Sequence, residues 1–264
     1  MTKIARFRTP GGAVHYGRVE DEQLRLISGD IFGAWKETSD TVPLSEVRLL
    51  APVDPPNVIA IGLNYRAHAH ESGMALPDRP VIFLKATTAV CGPEDAIVLP
   101  KVAPDEVDYE CELAIVIGKR VRNVSEEDAF DYVLGYTCSN DVSARDCQIR
   151  LDRQWARAKS FDTFAPLGPW IETSLDPDNA GIRTRLNGKT MQDSNTNDLI
   201  FSCRQLISFI SHSMTLLPGT VIMTGTPSGV GFARQPPVFL RPGDVVEIEI
   251  DGIGVLRNPV VAER

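Results

Sequence analysis

The sequence predicts a mainly β protein of the α+β type with few helices, on three observations. Short runs rich in β-branched residues, punctuated by glycine and proline, outnumber segments of helical period. Strands and helices do not alternate regularly, which argues against a doubly wound parallel sheet. The 264 residues suffice for one large core with a small appendage.

Residues 1 to 50 read as short strands, KIARFR, AVHYGRV and QLRLIS, separated by Gly11-Gly12 and followed by Gly29-Asp30. They form a small N-terminal β domain that buries little alone and must lean on the remainder of the chain. The stretch APVDPPN (51 to 57) holds three prolines and marks the boundary with a main domain over 51–264. There, VIAIG, PVIFLK, AIVLP, LAIVIG, VLGYTCSND, TVIMTG and VVEIEI read as strands. Helices are predicted from near Asn64, after Ser125 with its acidic first turn, and from about Asn197 to His212. No internal repeat or low-complexity tract is present.

Composition narrows the class. Hydrophobic content of 43% and charged content of 23% describe an ordinary soluble globular chain. The net charge is -8, and the first fifty residues carry seven basic and seven acidic side chains, so the whole excess lies beyond them. Neither nucleic acid nor an anionic membrane surface fits as a partner. Five scattered cysteines without a Cys-x-x-Cys pair imply free thiols in a reducing compartment, with Cys111 as core packing. No apolar leader and no run of the ~18 residues needed to span a bilayer is seen, so a cytoplasmic location is expected.

The chemistry centres on VDYECELAIVIG. Glu110 and Glu112 are two residues apart, so on a strand both carboxylates point to one face, which continues through Ala114 and Val116. The opposite face, Cys111, Leu113, Ile115 and Ile117, is also apolar. Two glutamates buried side by side repel each other and lose hydration, and a divalent metal between them is the economical compensation. Glu247 and Glu249 in DVVEIEID have the same spacing but alternate with apolar residues, the pattern of one wet face, and read as solvated.

Spacing singles out further candidates. Asp141, where VLGYTCSND leaves its strand, reads as a third oxygen ligand or as the N-cap of a helix starting at Val142, and the residues alone favour the cap. Histidine ligation is less natural, since none of the four histidines lies near the glutamate strand. His68 and Glu71 are three apart and share a helix surface, so the carboxylate can orient the imidazole as a general base; a chance surface pair is the plain alternative. Arg145 and Gln148 repeat that spacing beside Asp141 and suit carboxylate binding. Lys159 reads as a surface charge unless a site recruits it. TGTPSGVG (224 to 231) lacks the Gly-Lys-Ser/Thr ending of a P-loop, and reads as a tight turn offering the Thr226 hydroxyl and backbone N–H groups to an oxyanion.

GLNYRAHAHESG, PVIFLKATTAVCGP, VDYECELAIVIGK, NDVSARDCQ, RAKSFDTFAPLGPWI and TGTPSGVG, in this order, resemble the fumarylacetoacetate hydrolase family from about residue 51 to the C-terminus. The first fifty residues resemble the small β domain of its short bacterial members. The resemblance implies a β-roll with few helices, a homodimer, and Mg²⁺ or Mn²⁺ held by Glu110, Glu112 and Asp141. It places His68 and Glu71 as a water-activating pair, Lys159 as an active-site lysine, and Arg145, Gln148 and Thr226 on the substrate. The implied substrate is a small 2-oxo or 2,4-dioxo acid of acylpyruvate type. Hydrolytic carbon–carbon cleavage is the leading activity, with oxaloacetate decarboxylation or isomerisation of 2-hydroxyhepta-2,4-diene-1,7-dioate in aromatic catabolism as alternatives. The tyrosine-pathway hydrolase that names the family has a longer N-terminal domain and a further aspartate ligand without counterpart here. A catalytically silent, metal-dependent carboxylate binder is the rival from another class. Residues 64 to 80 are either a fixed helix or a lid.

Overall fold

In the computed structural model, which describes residues 2–264, strands prevail and helices are short. The largest sheet runs in the order Trp35–Pro43, Gln23–Gly29, Val14–Glu20, Lys3–Arg8, Ala165–Glu172, Val133–Asn140, Cys111–Ile117, Val221–Met223, Val58–Ile61 and Ile82–Lys85. The N-terminal strands therefore continue the main sheet, joined by the antiparallel pairing of Lys3 and Ile4 with Glu172 and Ile171. A second sheet, in the order Lys189–Asn195, Gly181–Leu186, Val245–Ile250, Gly254–Ala262 and Ile97–Leu99, packs against the first. Among the described residues no helix is long and apolar enough to cross a membrane.

The Cys111–Ile117 strand is buried along its whole length because both its faces have partners. Leu113, Ile115 and Ile117 join the core shared with Ile182, Ile248 and Leu256 of the second sheet. Ala114 and Val116 join another core, with Val58, Ala60, Val221 and Met223. Each large aliphatic side chain so enclosed contributes on the order of 2 kcal/mol. All five cysteines are buried and free, Cys111 in the core as expected. Val245–Ile250 buries alternate residues only, so Glu247 and Glu249 lie on its wetter face, where Glu249 meets Arg185.

The predicted helices are shorter than expected. The first is Arg66–Glu71 and the third Cys203–Ser213, which starts at a capping box between Ser202 and Gln205 because Thr196–Asp198 forms a separate 3-10 turn. The second is absent. Ser125 does accept a hydrogen bond from the Asp128 N–H at 3.1 Å, but only the 3-10 turn Ala129–Tyr132 comes after it before the chain enters a strand.

Strand pairing brings the chemistry to one end of the sheet. Met223 lies beside Ala114 on one side and, in parallel, beside Ala60 on the other, so the segments leaving Ile61 and Met223 emerge next to the start of the glutamate strand. Asn140 pairs with Cys111, which delivers Asp141 to the same place.

Gly135 lets two of these strands approach. A Cβ there would stand 2.5 Å from the Glu172 carbonyl oxygen and 2.6 Å from Ile171 Cγ2. Gly135→Ala should therefore lower the unfolding free energy by about 1–3 kcal/mol, read from urea midpoints at constant slope. An unchanged midpoint would mean that the strand pair opens freely.

Candidate active site

A cavity of about 280 Å³ opens at this end of the sheet, lined by His68, Glu110, Glu112, Arg145, Gln148, Lys159 and Thr226 among its polar residues. Its remaining wall is largely apolar and includes Phe83, Trp155 and Phe232. Glu110, Glu112 and Asp141 each offer a carboxylate oxygen within 4.8 Å of the others, and all three are buried. The Asp141 side chain caps no helix, because Ser143–Ala144 is a short strand paired with Val107–Asp108. The cap expected from the residues alone is thus corrected: the carboxylate turns inward to two lysines.

Lys159 Nζ lies 2.7 Å from both Glu110 Oε2 and Asp141 Oδ2 and is 2% exposed, so it is no surface charge. Lys85 Nζ contacts Asp141 Oδ1 and donates to the Val142 carbonyl at 3.3 Å. Arg145 stands 2.7 Å from Glu110 Oε1 and 2.8 Å from Asp108 Oδ2, donates to Gln148 Oε1 at 2.7 Å, and stacks on Phe232. These side chains form a row of alternating sign, Asp108, Arg145, Glu110, Lys159, Asp141 and Lys85, whose three negative and three positive charges cancel.

Glu112 stands outside the row. Its Oε2 accepts a hydrogen bond from the Gly225 N–H at 2.7 Å, while Oε1 is buried without any partner. Burial, then the neighbouring charges of Asp141 and Glu110, push its carboxyl well above the usual carboxylate range. Burial acts the same way on Glu110, but Lys159 and Arg145 outweigh it and hold that carboxyl at about 2. An orphaned oxygen beside two further carboxylates fits a hard divalent cation, which Glu110, Glu112 and Asp141 could hold.

His68 Nδ1 lies 2.9 Å from Glu71 Oε2, as the spacing predicts. Glu71 Oε1 accepts from the Gly229 N–H at 2.8 Å. Burial raises the Glu71 pKa, yet these two hydrogen bonds leave it below its ordinary value, so the group stays ionised. A carboxylate only accepts, so it fixes the proton on Nδ1 and leaves Nε2 as the basic nitrogen. The helix is tied down by the Ala67 N–H to Asp198 Oδ2 at 2.9 Å, whereas Met74 beyond it is 57% exposed and borders the cavity.

The 224–231 segment differs from its expected role. Its Gly225, Gly229 and Gly231 N–H groups, with that of Phe232, are taken by the carboxylates of Glu112, Glu71 and Asp108 rather than left open to a ligand. Thr226 does reach the cavity. Two charged residues of the buried row escaped the sequence reading, Lys85 in IFLK and Asp108 in VDYE. Each is a charge inside an apolar run, the same signal that singled out Glu110 and Glu112.

Comparison with known proteins agrees with the fold. The fumarylacetoacetate (FAA) hydrolase C-terminal family matches residues 57–261, and the Rv2993c-like N-terminal family matches residues 2–52. A mitochondrial oxaloacetate tautomerase, fahd2 of Xenopus laevis, is 50% identical over 222 residues, covering 82% of this chain and 69% of its own. The crystal structure of a 5-carboxymethyl-2-hydroxymuconate delta-isomerase from Mycobacterium smegmatis superposes with a TM-score of 0.89 at 46% identity, covering 99% of this chain and 100% of its own. A 2-hydroxyhepta-2,4-diene-1,7-dioate isomerase from Mycobacterium marinum gives 0.89 at 43% identity, over 100% and 99% of the two chains. The chain belongs to the fumarylacetoacetate hydrolase family.

The raised Glu112 pKa has a testable consequence. A carboxyl with a higher pKa folded than unfolded adds stability that is present below its unfolded value of about 4.3 and lost as pH rises through the folded value. A cation that needs the carboxylate must displace that proton. Mn²⁺ titrations in buffers of different ionisation enthalpy should show proton release on binding and an affinity that rises with pH, both abolished in Glu112→Gln. Binding without proton release would remove Glu112 from the donor set.

Proposed function

We propose that this enzyme draws a proton or an acyl group from C3 of a 2-oxo acid through its enolate, with Mg²⁺ or Mn²⁺ at Glu110, Glu112 and Asp141. The orphaned Glu112 oxygen in a triad of buried carboxylates carries the reading. A divalent cation held there supplies positive charge beside the 1-carboxylate and 2-oxo oxygens, which makes charge developing at C3 tolerable.

Keto–enol tautomerisation of an oxaloacetate-type acid is favoured by the relatives named for tautomerase and isomerase activity. In it, His68 Nε2 takes the C3 proton, the electron pair moves to the 2-oxo oxygen, and that oxygen takes up the proton the imidazolium gives back. Glu71 keeps the imidazole in the basic tautomer and steadies it once it is charged. Lys159 holds Glu110 and Asp141 together, and the Thr226 hydroxyl faces the ligand oxygens. Arg145 Nε and Nη1 hydrogen-bond to Asp108 and Gln148, and Nη2 is ion-paired with Glu110 and Asp108 without a hydrogen bond of its own, so its task is to shape Glu110 and Gln148 as much as to meet substrate.

The His68–Glu71 pair at the cavity supports a second reading, hydrolytic cleavage of an acylpyruvate. There His68 takes a proton from water, the hydroxide adds at C4, and collapse breaks the C3–C4 bond with its electrons passing to the enolate. The imidazolium then returns its proton to C3. Decarboxylation of oxaloacetate reaches the same enolate without a base, because the C3–C4 electrons are released by loss of CO₂.

Oxaloacetate and acetylpyruvate should both be tested with Mg²⁺ or Mn²⁺, following enol absorbance, pyruvate and CO₂ in parallel. Metal-dependent loss of the enol signal, abolished by a chelator, is expected; silence with every substrate would favour a carboxylate binder. Glu110→Gln should lower metal affinity and turnover together, and calorimetry showing unchanged affinity would exclude Glu110 as a ligand. His68→Ala should slow tautomerisation and hydrolysis by about 10²–10⁴-fold while sparing much of the decarboxylation. Equal loss of all three would refute the assignment of His68 as the base.

A further inference from the structure

Gln192 lies in the Lys189–Asn195 strand of the second sheet, is 1% exposed, and does not itself line the cavity. Its Oε1 accepts hydrogen bonds from the Cys111 N–H at 3.0 Å and from the Thr184 hydroxyl at 2.7 Å. Its Nε2 donates to Thr226 Oγ1 at 2.8 Å and to the Pro227 carbonyl at 2.9 Å. Cys111 is the residue between Glu110 and Glu112, so one side chain links the proposed metal strand to the hydroxyl at the cavity.

These partners fix the direction of every hydrogen bond. A backbone N–H can only donate, so the amide oxygen must face Cys111. A carbonyl oxygen can only accept, so the amide nitrogen must face Pro227 and, with it, Thr226. An amide NH₂ has no acceptor to offer, which forces Thr226 Oγ1 to accept. Among the described residues the hydroxyl has no other hydrogen-bond partner, and it lines the cavity.

We infer that Gln192 is a positioning residue that sets the polarity of the Thr226 hydroxyl, keeping its hydrogen directed at a ligand oxygen. This deepens the proposed function and rests on it, because the ligand oxygen concerned is that of a 2-oxo acid or its enolate. The arrangement prefers a ligand oxygen that accepts over one that donates. A carboxylate or enolate oxygen does the former, and a neutral hydroxyl loses the preference. The hydroxyl is ready before the ligand arrives, so no reorientation is needed as negative charge develops.

Gln192→Glu is nearly isosteric and reverses the atom facing Thr226 from donor to acceptor. The probe is oxalate, a planar anion with the oxygens of an enolised 2-oxo acid, bound to the Mn²⁺-loaded protein and followed by calorimetry. Oxalate affinity should fall at least 10-fold in Gln192→Glu and in Thr226→Val, and by no more than a further 2-fold when the two are combined. Thr226→Ser should keep wild-type affinity, and Mn²⁺ affinity without oxalate should stay within 2-fold throughout. Gln192→Met, of similar volume, cancels the polarity without reversing it; it should cost about 3-fold alone and nothing on the Thr226→Val background, and it carries the test if Gln192→Glu does not fold. Additive losses in the double variant, or full affinity in both Gln192 variants, would overturn the inference while leaving the proposed function intact. Failure of the wild-type protein to bind oxalate with Mn²⁺ would overturn both.

Discussion

Placing two buried glutamates two residues apart, Glu112 within a strand that has no wet face and Glu110 just ahead of it, is the constraint on which the rest of the site depends. Isolated carboxylates would be too costly there, so the neighbouring elements deliver cations to them: Lys85 from an edge strand, Lys159 from the end of a one-turn helix, and Arg145 from the segment after Asp141. The row closes on itself electrically and leaves Glu112 over. Buried ion pairs add little net stability, and breaking one costs about 3–5 kcal/mol because a partner is stranded. A network of this size is therefore better explained by what it holds than by the stability it adds. It keeps three carboxylates close at a fixed separation and leaves one of them short of positive charge.

The segment from Gly225 to Phe232 does the complementary work on the neutral side. Its N–H groups end on Glu112, Glu71 and Asp108, and Asp108 in turn grips Arg145. The carboxylate triad, the His68–Glu71 pair and the Arg145 guanidinium are thereby referred to one short stretch of backbone. Gly225 is required for this, since its φ of +99° is rarely adopted by residues with a side chain and a Cβ there would come within 2.7 Å of Asn64 Cβ. What resembles a phosphate cradle in the sequence is turned inward, toward the protein's own anions.

Much of this was legible in the residues, and the parts that were not share a cause. The two-faced apolar pattern around Glu112 announced full burial, and the spacing of His68 and Glu71 announced their hydrogen bond. The strand Ala165–Glu172 was not read, because Pro166, Gly168 and Pro169 are breakers in isolation and are tolerated only by the pairing partners on either side. Asp141 looked like a cap for the same reason: local sequence offers a turn, and only the approach of Lys85 and Lys159 from distant segments supplies the competing interaction. The whole Gln192 contact set is likewise non-local, joining positions between 8 and 81 residues apart. Sequence pattern reports burial well; it does not report which buried polar groups meet.

Charge accounting bears on which substrates this cavity accepts. The row from Asp108 to Lys85 is neutral, ionised Glu112 adds one negative charge, and a divalent cation would turn that into a single positive charge. One carboxylate of a 2-oxo acid then restores neutrality. A second carboxylate, as in oxaloacetate or a dienedioate, needs another counter-charge, and the cavity-lining cations Arg145 and Lys159 are already committed to the row. His68 is the remaining candidate among the described cavity residues, and it becomes cationic only when it has taken a proton. Proton transfer from C3 to His68 leaves the total charge unchanged, because the imidazolium gained is matched by the enolate formed, so in the proposed function a dicarboxylic acid would need a further cation or a proton from solvent for its second carboxylate. An acylpyruvate, with a single carboxylate, has no such need, and its acyl group would meet the apolar wall of Phe83, Trp155 and Phe232. In the proposed function, the charge at the far end of the substrate therefore decides how well this cavity would hold it.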